Sequence, residues 1–380
     1  MGYSAAAMTN PITQGLLPEG LRDRLPPQAE AAANLLRGLL DTVTAHGYER
    51  VQPPLVEYEE SLVGRLGSAR RQDLLRFIDP VSGANLALRH DMTGQVGRIA
   101  ATRLAHYARP LRLAYGGPVL RVRGDQLRPE REALQAGAEL IGSDSVAAVT
   151  EVLRLAVEAL TNAGLTGLTV DVTLPEFVTE LAAGPWPLEP VQLAEVHRLL
   201  DAKDVAGVRE LGAGRYEALI SAAGPANAAL ARLHALDLDG RLAKVLDDAA
   251  TVITALGDIP TTLDPTERHG FEFQSWIGFS IFAAGVRGEV GRGGAYTIVH
   301  PEGHRESAVG FSLYVDGLVD AGLGEVKHRR ILIPLGTLDE VAARLRAEGW
   351  ATVAALDADA DPRAFRCTHI WNGVEAALVR

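Results

Sequence analysis

Cysteine is nearly absent from this chain: Cys367 is the only one in 380 residues. That excludes an internal disulfide and any zinc site built on cysteine pairs, and it fits a reducing compartment. Basic runs are lacking as well. Lys and Arg number 37 against 48 Asp and Glu, for a net charge of −11, and a protein that grips nucleic acid needs a basic face that is not legible here. No run of about 18 apolar residues occurs, and the opening MGYSAAAMTNPITQGLLPEG has no basic segment leading into an apolar one. The expectation is a soluble, cytoplasmic protein with neither a membrane nor a nucleic-acid partner.

Phosphate-loop and metal signatures are missing too. Gly285 to Gly294 carries glycines at 285, 288, 291, 293 and 294, but it lacks Gly-Lys-Ser/Thr and follows no strand-to-helix dinucleotide pattern. It reads as a hairpin turn leading into a pocket wall. His300, Glu302 and His304 cluster around Pro301 and Gly303, which make a turn and not a metal-binding helix. No metal, no cofactor and no catalytic residue are expected. Neither an internal repeat nor a low-complexity linker interrupts the chain.

The elements that are present mix helix and strand. Leucine or valine at 35, 36, 39, 40 and 43 predicts a helix over Gln28 to Ala45 with one buried stripe, ended by Gly47. Tyr48 to Tyr58 reads as a strand interrupted at an edge or bulge by Pro53-Pro54. A helix is expected over Asp144 to Ala163, capped by Ser143 or Asp144 and stopped by Gly164, followed by a strand in which Leu168, Val170 and Val172 alternate. From Trp186 to Ile259 the chain reads as several short helices broken at Gly212 to Gly214 and at Gly224-Pro225. A strand Arg330 to Leu335, a helix Leu338 to Glu348 and a strand Ala351 to Leu356 follow.

The most informative stretch is Gly117 to Gly142. Strand-like runs Pro118 to Arg123 and Glu132 to Ile141 flank a polar loop with Gly124, Asp125 and Pro129, so a hairpin is expected. In its second strand Gln135, Gly137 and Glu139 share one face by the period of two. That face is polar where a core face would be apolar, and a glycine there points to close approach by another group. Asp91, Gln135 and Glu139 are acceptors suited to an ammonium or imidazole N–H, Thr93 adds a hydroxyl beside Asp91, and the fork of Arg121 suits a carboxylate. Together they could hold both ends of a zwitterion.

This stretch, with Leu88 to Thr93 before it, resembles motif 2 of the histidine-type class II aminoacyl-tRNA synthetases, in register from Gly117 through Gly142. The resemblance continues through His269-Gly270-Phe271-Glu272-Phe273 and Gly291 to Tyr296 to Ala308-Val309-Gly310-Phe311, and covers about residues 15 to 318, with 184 to 262 matching only as a helical insertion. It implies an α+β class II fold: an antiparallel sheet flanked by helices, a synthetase-like core over 1–318 with its insertion, and a short C-terminal α/β segment over 319–380. The latter is too short for a complete anticodon-binding domain. It also implies that the helix and strand over Gln28 to Tyr58 form a homodimer interface, and it makes Asp91, Thr93, Arg121, Gln135, Glu139 and Phe273 a histidine-like binding pocket.

Adenylation makes further demands, and at these positions the chain departs from the enzymes. Arg123 stands where the family has a nucleotide-positioning glutamate, and His269 where it has an α-phosphate arginine. Phe273 and Gln274 replace two tyrosines, and Ala295 replaces an arginine. Tyr314-Val315-Asp316-Gly317 stands for Gly-Leu-Glu-Arg, so the arginine that grips the γ-phosphate is lost. Phosphoryl-group chemistry depends on such positioned cations, and an imidazole lacks the fork and permanent charge of arginine. The resemblance therefore points to the synthetase-like regulatory subunits of ATP phosphoribosyltransferase. These are hetero-oligomeric partners of the short-form catalytic subunit that activate it in the first step of histidine biosynthesis and take part in its feedback inhibition, with histidine as the effector. An active histidine-tRNA ligase and a synthetase-like enzyme activating another carboxylate are the alternatives.

Overall fold

The leucine stripe folds as its spacing predicts. In the computed structural model, which describes residues 16–63, 71–124, 129–236, 238–268, 270, 273–300 and 302–379, helix α1 (Gln28–Ala45) buries Ala31, Ala32, Leu35, Leu39, Leu40 and Val43. Gly47 follows at φ 83°, a left-handed conformation that glycine adopts without strain. The stretch Tyr48 to Tyr58, expected as a strand interrupted at Pro53-Pro54, forms two strands, β1 (Glu49–Arg50) and β2 (Val56–Tyr58). Pro53 and Pro54 lie between them, and the side chains of Arg89 and Gln95 donate to their carbonyls at 2.9 and 2.8 Å. Proline offers no N–H to a ladder, so pairing breaks there and these carbonyls find side-chain donors.

Helix α2 (Glu59–Val63) and strands β3 (Arg76–Ile78) and β4 (Asn85–Leu88) follow, β4 lying between β2 and β3 in a small antiparallel sheet. Helix α3 (Thr93–Thr102) leads to the hairpin of β5 (Leu111–Leu120) and β6 (Glu132–Ile141), paired from Leu111 opposite Ile141 to Leu120 opposite Glu132. The first strand begins well before the expected Pro118. Leu111, Leu113, Ala114 and Tyr115 are all buried, and a strand covered on both faces loses the alternation by which a sequence announces it.

Helix α4 (Val146–Asn162) is capped by Ser145, whose Oγ accepts from Ala148 N at 3.3 Å. Ser143, one of the two expected caps, instead accepts from Ser145 N, two residues before the cap. After β7 (Thr169–Thr173) come α5 (Phe177–Ala183), α6 (Pro190–Asp201), α7 (Val205–Glu210), α8 (Glu217–Ala222), the short β8 (Gly224–Pro225), α9 (Ala226–His234), α10 (Gly240–Thr254) and β9 (Thr261–Asp264). This is the expected run of short helices. Leu200, Val208, Leu219, Leu233 and Leu246 from it join one apolar core with α1 and α4.

Strands β10 (Gln274–Phe282), β11 (Gly291–Val299) and β12 (Arg305–Tyr314) and helix α11 (Val315–Asp320) complete the layer. The main sheet runs β1-β5-β6-β12-β11-β10-β7-β9-β8, antiparallel through its centre and parallel at β1/β5 and β7/β9. On one face lies the large core. The other carries Met92, Val96 and Ala100 from the start of α3 with Leu113, Tyr115, Tyr296 and Ile298. No helix among the described residues is long and apolar enough to cross a membrane.

Two compact units divide at Gly324 and Glu325. The boundary follows α11 because the chain is still packed there: a Cβ on Gly324 would come within 2.6 Å of Ala31 O and Leu35 Cγ in α1. The second unit holds β13 (Arg330–Ile333), α12 (Asp339–Ala347), β14 (Ala351–Ala354), β15 (His369–Trp371) and β16 (Ala376–Leu378). Its sheet runs β14-β13-β15-β16 over a small core of Ile331, Ile333, Leu345, Trp350 and Trp371. The two last strands, three residues each, are too short to announce themselves by pattern.

Candidate binding site

Alternation in β6 sends Ala136, Ala138 and Leu140 into the large core and Gln135, Gly137 and Glu139 to the opposite face. Opposite these three, β5 contributes Gly117, Tyr115 and Leu113, and β12 contributes Tyr314, Ser312 and Gly310. Gly137 is where a side chain crosses. A Cβ there would lie 2.4 Å from the Tyr115 hydroxyl and from Phe311 O, so the bare backbone lets the Tyr115 ring lie over it. That hydroxyl reaches Glu139 Oε1 at 2.9 Å and Ser312 Oγ at 3.1 Å. From β11, Tyr296 donates to Glu139 Oε2 at 2.8 Å. Gly310 is equally obligate, since its Cβ would fall 1.6 Å from Glu139 Oε2.

Over this floor opens a cavity of about 270 Å³, and Asp91, Thr93, Arg121, Glu139 and Phe273 line it. Five of the six residues expected from the sequence thus converge. Gln135 is placed differently and corrects the expectation: it is 1 % exposed, and neither end of its amide is free. Its Oε1 accepts from Met92 N at 3.1 Å, and its Nε2 donates to Asp91 Oδ2 and to Ser312 Oγ, both at 2.7 Å. It is a brace that fixes Asp91. The other Asp91 oxygen accepts from Thr93 N at 2.7 Å, while Thr93 Oγ1 meets the Tyr115 hydroxyl at 3.2 Å. Phe273 packs edge-on against Tyr296, ring centroids 6.3 Å apart.

Burial dominates the electrostatics. Desolvation pushes Glu139 up to about 8, the nearby charge of Asp91 adding to it and the hydroxyls of Tyr296 and Tyr115 opposing it. Both tyrosines are held well above their ordinary value by burial and by Glu139. His90, also on the cavity wall, is lowered by burial against the opposing pull of Asp91. At pH 7 such a glutamate carries a proton until a cation or a strong donor enters, and the site then favours its charged form. A dry carboxyl fixed by two hydroxyls, beside a second carboxylate and an arginine fork, can receive an amino acid.

The adjoining cleft has a different character. It shares Arg121 and Tyr314 with the first cavity and encloses about 320 Å³. Where the resembled enzymes place an arginine, α11 presents Asp316, Gly317 and Asp320. Asp316 accepts from Leu134 N at 2.7 Å and pairs with Arg24, and Asp320 bonds Arg22 at 3.3 Å. The incoming chain thus lies against α11 through Arg22 and Arg24, and just before β6 Arg131 N donates to Gly20 O at 2.8 Å. Arg123 is exposed and lines a further cleft with Gln72, Asp73 and His90. His269 lies outside the described residues. His300 bonds Glu306 at 2.8 Å, and Arg109 pairs with the same carboxylate. The glycines of 285–294 form the β10–β11 turn and then, at Gly293 and Gly294, the cavity wall.

Tyr115 and Tyr296 escaped the sequence reading. Tyr115 sits in the part of β5 that lacks alternation, and only the glycine opposite it, Gly137, hinted that a bulky group must cross there.

Known proteins place these features. Residues 20–318 match the histidyl-tRNA synthetase family model. An ATP phosphoribosyltransferase regulatory subunit from Rhodospirillum centenum is 44% identical over 375 residues, 95% of each chain. A crystal structure of an ATP phosphoribosyltransferase regulatory subunit/histidyl-tRNA synthetase from Bacillus halodurans superposes with a TM-score of 0.80 at 25% identity, covering 93% of this chain and 97% of that one. An ATP phosphoribosyl transferase complex from Thermotoga maritima contains the same fold, with TM-score 0.59 and 20% identity over 75% of this chain and 97% of that one.

Proposed function

We infer the role of this chain from its family: it belongs to the ATP phosphoribosyltransferase regulatory subunits, which are built on the histidyl-tRNA synthetase fold. It is a regulatory subunit of the enzyme that opens histidine biosynthesis, and not an aminoacyl-tRNA ligase. In this role it binds the short-form catalytic chain in the cytoplasm, raises its activity, and receives histidine as the feedback signal. One observation carries this reading: the amino-acid half of the cleft keeps a shaped, acceptor-lined cavity, while in the adjoining cleft, which Arg121 and Arg287 also line, α11 presents Asp316 and Gly317 where the resembled enzymes hold the γ-phosphate arginine. Amino-acid binding and adenylation use different residues, so one can persist without the other.

Histidine enters with its ammonium toward Asp91 and Thr93, its carboxylate toward Arg121, and its ring toward Glu139 and Phe273. Regulation follows if histidine binds one state of the assembled complex more tightly than another, since a ligand shifts an equilibrium only by its differential affinity. A homodimer forms through α1 and the Pro53-Pro54 segment. Exposed Leu55, Tyr58, Phe77 and Ile78 on and beside the three-stranded sheet favour such an interface. The carbonyls of Pro53 and Pro54 tie that segment to Arg89 and Gln95, next to the Asp91 wall. The test is sedimentation of the purified chain alone and with the short catalytic chain, combined with a phosphoribosyltransferase assay. A dimer that joins the catalytic chain and stimulates it is expected. A strict monomer at micromolar concentration contradicts the dimer, and unchanged activity contradicts the regulatory role.

A further inference from the structure

The helical insertion reaches the cavity through one turn. Helix α6 ends at Asp201, and Lys203 follows at φ 55°, one of two non-glycine residues held in the left-handed region among the described residues. Glycine is the usual occupant just past a helix end, because a side chain there crowds the backbone. The lysine side chain accounts for the exception. Its Nζ donates to Asp264 Oδ2 at 2.5 Å and to Thr266 Oγ1 at 2.7 Å.

These partners belong to the segment that leaves β9 for the cavity. Asp264 Oδ1 accepts from Thr266 N at 2.9 Å and from the Thr266 hydroxyl at 2.7 Å, and Thr266 is buried. Asp201, the last residue of α6, accepts from Arg268 N at 2.9 Å. Burial, and after it the charge of Arg268, lower His197 of α6 to about 4, so the Arg268 side chain also lies near that helix. Two residues on, Gly270 lines the cavity, and a Cβ there would come within 2.8 Å of Arg292 Nη1. The end of α6 therefore holds this segment at Asp264, Thr266 and Arg268, immediately before the chain becomes cavity wall.

We propose that Lys203 is a positioning residue for the amino-acid cavity, fixing 264–268 so that the wall at Gly270 stands where the bound amino acid needs it. This rests on the reading that the cavity binds histidine, and it adds a route of regulation through the insertion. A partner that displaces the α6–α7 turn changes histidine affinity, and histidine changes that partner's affinity by the same factor.

Lys203→Gly tests this, since glycine adopts the same backbone without strain and only the side chain is lost. Its melting temperature should stay within about 3 °C of wild type. Calorimetry of the complex with the catalytic subunit should nonetheless show L-histidine bound about fivefold or more weakly, and hydrogen exchange should quicken across 264–274. Asp264→Asn keeps the shape and loses the charge opposite Lys203, so it should weaken histidine binding as well. Combined with Lys203→Gly it should add little, because both break one clamp. Lys244→Ala breaks an exposed ion pair with Asp248 elsewhere in the insertion and should change neither readout. If Lys203→Gly does not fold, Asp264→Asn decides. A folded variant of either residue that binds histidine as the wild type does overturns the proposal, whatever its exchange, and so does a Lys244→Ala loss as large as that of Lys203→Gly. A wild-type complex that binds no histidine overturns the histidine reading of the cavity, and this proposal with it.

Discussion

Glu139→Gln should change how stability depends on pH. Burial raises the Glu139 carboxyl from an ordinary 4.5 to about 8, so between those values the folded chain holds a proton that the unfolded chain has released. Stability from this group is then fully present below pH 4.5, declines as pH rises, and is lost once pH passes about 8. The separation corresponds to at most about 5 kcal/mol, at roughly 1.36 kcal/mol per pH unit, and water entering through the cavity mouth reduces it. Glutamine keeps the shape and cannot ionise. Its variant should lie within about 1 kcal/mol of the wild type near pH 5 and exceed it by about 2 kcal/mol or more at pH 8.5. The assay is denaturant unfolding of both proteins across this range; every other titrating group is common to both and cancels in the difference. Parallel curves would refute the argument that Glu139 is neutral in the folded chain.

Gly310→Ala pushes a Cβ to 1.6 Å from Glu139 Oε2 and 2.7 Å from Ala138 O, and overpacking of this kind costs about 1–3 kcal/mol or more; calorimetric melting should fall by several degrees, and an unchanged transition contradicts the close-packed floor. Glu151 accepts from Arg112 at 2.7 and 2.8 Å and from Tyr48 OH at 3.0 Å, with Tyr48 only 2 % exposed. Glu151→Ala should therefore lose about 1–3 kcal/mol in a denaturant titration, and a loss near zero would mean that solvent replaces the carboxylate. Pyrophosphate exchange dependent on histidine and ATP should stay at background, because α11 presents Asp316 and Gly317 in place of the arginine that grips the γ-phosphate in the resembled enzymes; robust exchange contradicts the loss of adenylation.

Much of this was legible because local chemistry and global fold agree. The α1 stripe, Gly137 and the glycines after 285 each announced a constraint that a backbone must obey anywhere. Reading failed where the cause lay in tertiary contact. Gln135 looked like a ligand acceptor because an amide on a polar face is one by type; that Met92 N, Asp91 and Ser312 saturate it depends on three other segments. Tyr115 was hidden by a strand buried on both faces. Ser145 rather than Ser143 or Asp144 caps α4, a distinction of one or two residues set by where the helix can begin. The departures Arg123 and Gly317 were visible at once, since losing or reversing a charge needs no fold to be noticed.

The central claim is that this cavity reads histidine as a signal and performs no chemistry on it. Histidine titration of phosphoribosyltransferase activity, with the catalytic chain assembled on wild type or on Glu139→Ala, tests that claim most directly. The account predicts that the wild-type complex is inhibited by histidine and that the variant needs about ten to a hundred times more histidine for the same inhibition, as expected when a buried donor loses its acceptor. Identical inhibition curves for the two complexes would contradict it.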